Sequence, residues 1–140
     1  MAKIKNLFFL TIPLWMIFIA CTSDMTYRLG DGYVYHNEGG ALKRIYCTKA
    51  KCDVYIPPTI LSYSYNSTYI LAKQKLKLPS LAIEPDYSYN FANSKDSIFY
   101  WIINKRENHL YGPLSMREFN VLVDSLQLGD KSKLYCAIKR

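Results

Sequence analysis

Four cysteines, two histidines and eleven acids are the side chains of this 140-residue chain with the most chemistry to offer. A catalytic thiol or hydroxyl needs a base within hydrogen-bond reach, and that base is most often histidine. His36 stands at the edge of the turn signal Asn37-Glu38-Gly39-Gly40, and His109 follows a hairpin reversal. Both read as surface turn residues. Cys47 and Cys52 lie five positions apart, with no histidine and no second cysteine pair at structural-zinc spacing. A disulfide or a pair of buried thiols suits them better than a metal. Asp31, Glu84 and Asp86 are carried on loops, and no glycine-rich stretch opens a helix to cradle a phosphate. The residues therefore predict no catalytic group, no metal site and no cofactor.

Aromatic side chains are the second resource. Tyr87, Tyr89 and Phe91 alternate along Leu76 to Asp96, a stretch interrupted by Pro79 and Pro85. A connection of this length in a compact domain is often a functional loop. Tyrosine presents a rigid apolar body with a polar tip, which suits it to contacts. These three rings are the binding candidates, with Tyr63 and Tyr65 as prospective neighbours. The alternative is a surface loop whose rings cover one end of the core. The basic groups Lys43/Arg44/Lys49/Lys51 and Lys73/Lys75/Lys77 read as solvated strand faces, or as a patch for anionic lipid headgroups or acidic glycans.

The first twenty-one residues decide where such surfaces would act. Lys3 and Lys5 precede an apolar run from Leu7 to Ala20 that ends at Cys21. A basic start, an apolar stretch of roughly 7–15 residues and a small residue at the cut describe an export signal. A membrane-crossing helix needs about 20 apolar residues, and this run is shorter and holds Pro13. Ala20-Cys21 resembles the lipobox of bacterial lipoproteins, with Phe18 where leucine is usual. That resemblance implies a signal peptide over 1–20 and lipidation of Cys21. The alternative is an uncleaved N-terminal helix. Losing two of eighteen basic residues leaves 16 − 11 = +5 on the mature chain. An exported protein meets no nucleic acid, and it can keep a disulfide where a cytosolic one generally could not. With Cys21 lipidated, Cys47, Cys52 and Cys136 allow one bridge and one free thiol, and spacing does not choose the pair.

The elements that must position these residues read as follows. Residues 21–30 form a polar tether, and 31–140 a single domain. Tyr33 to Tyr35 is a first strand. Leu42 to Cys47 and Cys52 to Ile56 form a hairpin through Thr48 to Lys51, so that Cys47 faces Cys52 and Ile45 faces Val54. Opposed positions lie ~4.5–5.5 Å apart, within disulfide range. Pro57-Pro58 sets a bend. Thr59 to Tyr65 and Thr68 to Gln74 are strands joined at Asn66-Ser67. Ile98 to Ile103 is apolar on both faces, which predicts a central strand covered on each side. Lys105 to Asn108 reverses the chain into a short strand, His109 to Tyr111, stopped by Gly112-Pro113. Ser115 caps a helix, Glu118 completes its capping box, and Leu114 staples onto Phe119. Phe119, Leu122, Val123 and Leu126 make one apolar stripe, Gly129 closes the helix, and Lys133 to Ile138 is a last strand. The predicted fold is α+β: one antiparallel sheet of about five to seven strands with one C-terminal amphipathic helix packed on it.

The runs Tyr69-Ile70-Leu71-Ala72-Lys73-Gln74, Tyr100-Trp101-Ile102-Ile103-Asn104-Lys105, Gly112-Pro113-Leu114 and Glu118-Phe119 resemble a family of small bacterial proteins. It is known only as a domain of unknown function (DUF3997), and many of its members bear lipoprotein signals. The resemblance covers the middle and C-terminal half, on core and turn residues, and carries no catalytic residues with it. The resemblance supports the α+β fold and export. The expectation for the whole chain is a lipid-anchored envelope protein, at the outer membrane, that binds another envelope protein or a glycan and is not an enzyme. A glycan-handling or other hydrolytic enzyme and a purely structural envelope protein are the alternatives.

Overall fold

Pro57-Pro58 divides the chain into two sheets. In the computed structural model, which describes residues 24–40, 42–76 and 98–129, β1 (Met25–Gly30), β2 (Tyr33–Asn37), β3 (Lys43–Cys47) and β4 (Tyr55–Ile56) pair in that order. After the prolines, β5 (Ile60–Tyr65), β6 (Tyr69–Lys75), β7 (Ile98–Asn104) and β8 (His109–Leu114) form a second four-stranded sheet, followed by α1 (Met116–Ser125). Both sheets are antiparallel throughout. The α+β class holds, but the single sheet of five to seven strands is replaced by two sheets of four. Proline has no N–H to give a ladder, so the chain leaves the first sheet at this point and starts another. The signal peptide, Cys21, the Tyr87/Tyr89/Phe91 loop, Cys136 and the strand over 133–138 lie outside the described residues.

The sheets face each other across a common core. Leu29, Tyr33, Tyr35, Ile45, Val54 and Ile56 come from the first half, and Ile60, Ile70, Ala72, Trp101 and Ile103 from the second. On the far side of the second sheet, Leu71, Tyr100 and Ile102 meet Phe119 and Val123 of α1. Three layers result. Alternate side chains of β7 thus enter different cores, and six of its seven residues, Phe99 to Asn104, are buried. This is the doubly covered strand that its continuous apolar run predicts.

Four local readings are refined. Within the stretch read as a tether, Met25–Gly30 is a strand, because Leu29 is fully buried and Tyr27 pairs with Tyr35 across to β2. In the β3–β4 hairpin the partners are Ile45↔Ile56 and Tyr46↔Tyr55, two residues away from the Ile45–Val54 register. The Thr48 N–H and hydroxyl both donate to the Gly32 carbonyl at 2.8 Å, drawing the loop toward the β1–β2 turn and away from a tight closure. A slip of two preserves the pleat, so Ile45 keeps its inward face. Strand β8 runs through Gly112-Pro113 to Leu114, with a register irregularity opposite Trp101. Gly112 (φ 141°) lies so close to the Trp101 indole that a Cβ there would overlap the ring at Cε3. Finally, α1 closes earlier than Gly129. Gln127 (φ 53°) is its left-handed residue, its N–H donates to Asp124 O at 3.1 Å, and Leu128 N–H donates to Val123 O at 3.1 Å. That pair of bonds is a Schellman closure, with Leu128 packed on the Phe119/Val123 cluster. The start of the helix is as read: Ser115 Oγ accepts from Glu118 N–H, and the Glu118 carboxylate accepts from Ser115 N–H at 2.8 Å. Hydrogen bonding from the Ser115 hydroxyl, and then from the Ser115 N–H, holds the Glu118 carboxyl below its ordinary pKa.

Candidate functional site

Three side-chain groupings stand out, and the fold explains each. The first is the Cys47–Cys52 disulfide. Cys52 leaves the ladder, yet the loop returns it to a Cα–Cα distance of 5.9 Å from Cys47. Both cysteines pack against the core between the sheets. Cys52 Sγ lies 3.6 Å from Tyr33 Oη and from Asn108 Oδ1, and Tyr33 Oη donates to Asn108 Oδ1 at 3.1 Å. The bridge packs beside this contact, and the Tyr33–Asn108 hydrogen bond ties the first sheet to the β7–β8 turn. Burial, with the nearby Asp31 carboxylate, raises the Tyr33 pKa.

The second grouping lies on the outer side of the first sheet, where Thr26, His36 and Arg44 stand opposite one another on β1, β2 and β3. Thr26 Oγ1 is 3.3 Å from His36 Nδ1, and His36 Nε2 is 3.3 Å from Glu38 Oε1. Hydroxyl, imidazole and carboxylate are the parts of a nucleophile–base–acid relay. Arg44, however, donates to the same Glu38 oxygen, and its charge offsets the carboxylate that would orient and support the imidazole. Burial works to lower the Arg44 pKa, but Glu38 and Tyr55 outweigh it and hold the guanidinium above its ordinary value. Thr26 is exposed on a strand face. The arrangement is an ion-paired cross-strand row, and His36 is a half-buried strand residue, not an exposed turn residue.

The third grouping crosses between the sheets. Tyr27 and Tyr35 are cross-strand partners with ring centroids 6.0 Å apart. Tyr35 meets Tyr63 of β5 at 4.5 Å, and Tyr63 meets Tyr65 at 6.4 Å. The middle of this row is packed against the core, while Tyr27 and Tyr65 at its ends are about half exposed. Burial first, then the neighbouring phenols of Tyr35, Tyr65 and Tyr27, push the Tyr63 pKa to about 12. Tyr35 is raised for the same reasons, burial and Tyr27. At the Tyr65 end, Lys105 Nζ lies 5.9 Å from the ring centroid and donates to Leu29 O at 2.8 Å. The Lys105 side chain is almost wholly buried, with Asp31 Oδ2 at 4.0 Å. Burial lowers its pKa, and Asp31 opposes that shift. Gly30 (φ 88°) makes room, since a Cβ there would stand 3.0 Å from the ammonium.

Of the side chains named from sequence, the structure brings together Cys47 with Cys52, and Tyr63 with Tyr65. His109, exposed, stacks edge-on to Tyr111 at 4.4 Å. Cys21, Tyr87, Tyr89 and Phe91 fall outside the described residues. Sequence reasoning misses Tyr27 and Tyr35 as members of the row, and Lys105 as a buried cation. The available signal is the alternation Met25, Tyr27, Leu29 in the stretch read as a tether. Among the described residues, no three histidine, cysteine, aspartate or glutamate side chains gather as a metal site. Nor is any helix there long and apolar enough to cross a membrane.

Residues 32–136 match the profile of a family described as Protein of unknown function (DUF3997), and the chain belongs to that family. No curated protein and no solved structure matches it.

Proposed function

We propose that this member of the DUF3997 family is a lipid-anchored protein of the bacterial cell envelope, exported on residues 1–20 and held at the outer membrane by acyl groups on Cys21. One observation carries the reading: a basic start, an apolar run and Ala20-Cys21 at its end. The Cys47–Cys52 disulfide supports it, because such bridges persist in oxidising compartments and are rare in the cytosol. The domain acts there as a binding or accessory module and not as an enzyme. Its partner is another envelope protein or a glycan, engaged through the Tyr87/Tyr89/Phe91 loop, and no nucleic acid is involved. The test is metabolic labelling with palmitate. Wild-type protein takes up label and Cys21→Ala does not; equal labelling removes the anchor.

A hydrolytic role is the second reading, and the Thr26–His36–Glu38 contacts are what favour it. The Arg44 guanidinium on Glu38 counts against it, since it draws charge away from the imidazole. A Thr26→Ala or His36→Ala change that abolished a measured glycan or ester hydrolysis would reverse the preference.

A further inference from the structure

Strand β1 leaves little chain between the proposed anchor and the folded domain. Cys21 and Met25 are four residues apart, and four residues span at most about 14 Å when extended. The headgroup layer of one leaflet is itself about 5–8 Å deep. An acylated Cys21 therefore holds β1 against the membrane surface; the domain has no slack to stand clear of it.

What β1 presents there suits such a boundary. Met25 is 46% exposed and Tyr27 48%, with the Tyr27 hydroxyl donating to Met25 Sδ at 3.3 Å. The row of rings carries the same character across to Tyr65, 52% exposed on β5. Tyrosine concentrates at membrane–water interfaces because its ring takes the apolar side and its hydroxyl the wet one. Without its leader the chain keeps 18 − 2 = 16 basic residues against 11 acidic ones, which favours anionic headgroups. Leu61, 40% exposed, also lies on β5, while Met116 at 53% and Val121 at 64% belong to α1. That helix lies on the opposite side of the second sheet from β1.

We infer that the rim formed by Met25, Tyr27 and Tyr65 beds in the headgroup region of the anionic bilayer that anchors Cys21, laying the domain on the membrane in one orientation with α1 turned away. This rests on the lipid-anchor reading above. Met25 and Met116 form a built-in pair of reporters, of one residue type and nearly equal exposure. The full chain is expressed with its leader, purified and reconstituted into vesicles of phosphatidylethanolamine and phosphatidylglycerol. It is then treated with chloramine-T, a charged oxidant that stays in water, and sulfoxide is followed by peptide mass spectrometry. Met116 is expected to oxidise at least three-fold faster than Met25; equal rates overturn the orientation. A second measurement uses Tyr27→Trp, Tyr65→Trp and Val121→Trp with headgroup-nitroxide lipid. Emission from the first two is expected to fall at least two-fold and from the third to stay level; quenching that is uniform overturns the inference. The mass of the N-terminal peptide separates the two ideas. Acylated Cys21 with equal Met25 and Met116 rates leaves the anchor standing and removes the orientation, whereas unmodified Cys21 removes both.

Discussion

The two sheets solve the same burial problem in different ways. In the second sheet, β7 lies in the middle of three layers and is buried from Phe99 to Asn104. Two of its buried polar side chains satisfy each other inside that core: Trp101 Nε1 donates to Gln74 Oε1 at 2.9 Å, and the Gln74 amide donates to Pro58 O at 3.3 Å. The first sheet uses its Leu29/Tyr35/Ile45/Ile56 face for the core, while the Thr26–His36–Arg44 row on the other side is joined by hydrogen bonds and ion pairs. Its last strand has two residues, and a disulfide closes the loop before it. A sheet covered on both faces draws its stability from apolar burial. A sheet covered on one face, with a two-residue edge strand, relies more on a covalent link. The difference teaches that the bridge belongs to the weaker layer.

The largest test of this contrast is Trp101→Ala. It removes a fully buried indole from the shared core and should cost about 3–5 kcal/mol in denaturant unfolding, loosening both sheets together. If amide exchange rose in only one sheet, the common core would be wrong. Cys47→Ala with Cys52→Ala comes next, at about 2 kcal/mol for so short a loop. Protection should fall across β3 and β4 while β6 and β7 hold theirs, and an equal fall in all four strands would erase the distinction between layers. Ser115→Ala should cost about 1 kcal/mol by leaving the first turn of α1 uncapped, with no change in the first sheet. Gln127→Gly should add about 0.5 kcal/mol, since glycine adopts a left-handed φ without the Cβ penalty; a loss would refute the Schellman closure.

The seam between the sheets has its own signature in pH. Tyr63 ionises at about 12, raised from its ordinary 10.0 by burial and by its tyrosine neighbours. The fold thus favours the neutral phenol, so its contribution to stability is fully present below pH 10 and is lost as pH climbs through 12. Ultraviolet difference titration should resolve a tyrosine ionising at about pH 12 in the wild type and none so late in Tyr63→Phe, although Tyr33 and Tyr35 are also raised. A late phenol persisting in the variant would place the strongest burial elsewhere in the row.

Local signals in the chain were legible because they act over a few residues. The capping box Ser115/Glu118, the turn at Asn66 and the doubly apolar run at Ile98 each state their structure within one turn or one strand. Asn66 Oδ1 accepts from both Thr68 and Tyr69 N–H, which settles that reversal without outside help. The Cys47/Cys52 candidate follows from the hairpin, in which Thr48 to Lys51 turn the chain back on itself; spacing alone does not choose that pair over one with Cys136. The β3–β4 register was not legible, because the carbonyl that drew Thr48 away belongs to Gly32, sixteen positions earlier. The tyrosine row was only half legible. Tyr63 and Tyr65 alternate on one strand, but Tyr27 and Tyr35 reach them only when two sheets stack.

By itself, the sequence determined most of the strands from β2 to β8, the start of the helix, and which strand would be covered on both faces. These follow from propensity, periodicity and capping, whose range is a few residues. Tertiary structure alone decided that there are two sheets and not one, that a polar-looking stretch after Cys21 becomes β1, and that Lys105 lies buried over Tyr65. Those outcomes depend on which apolar faces meet. Burial is non-directional and acts between any surfaces that can exclude water together, so no spacing along the chain encodes it.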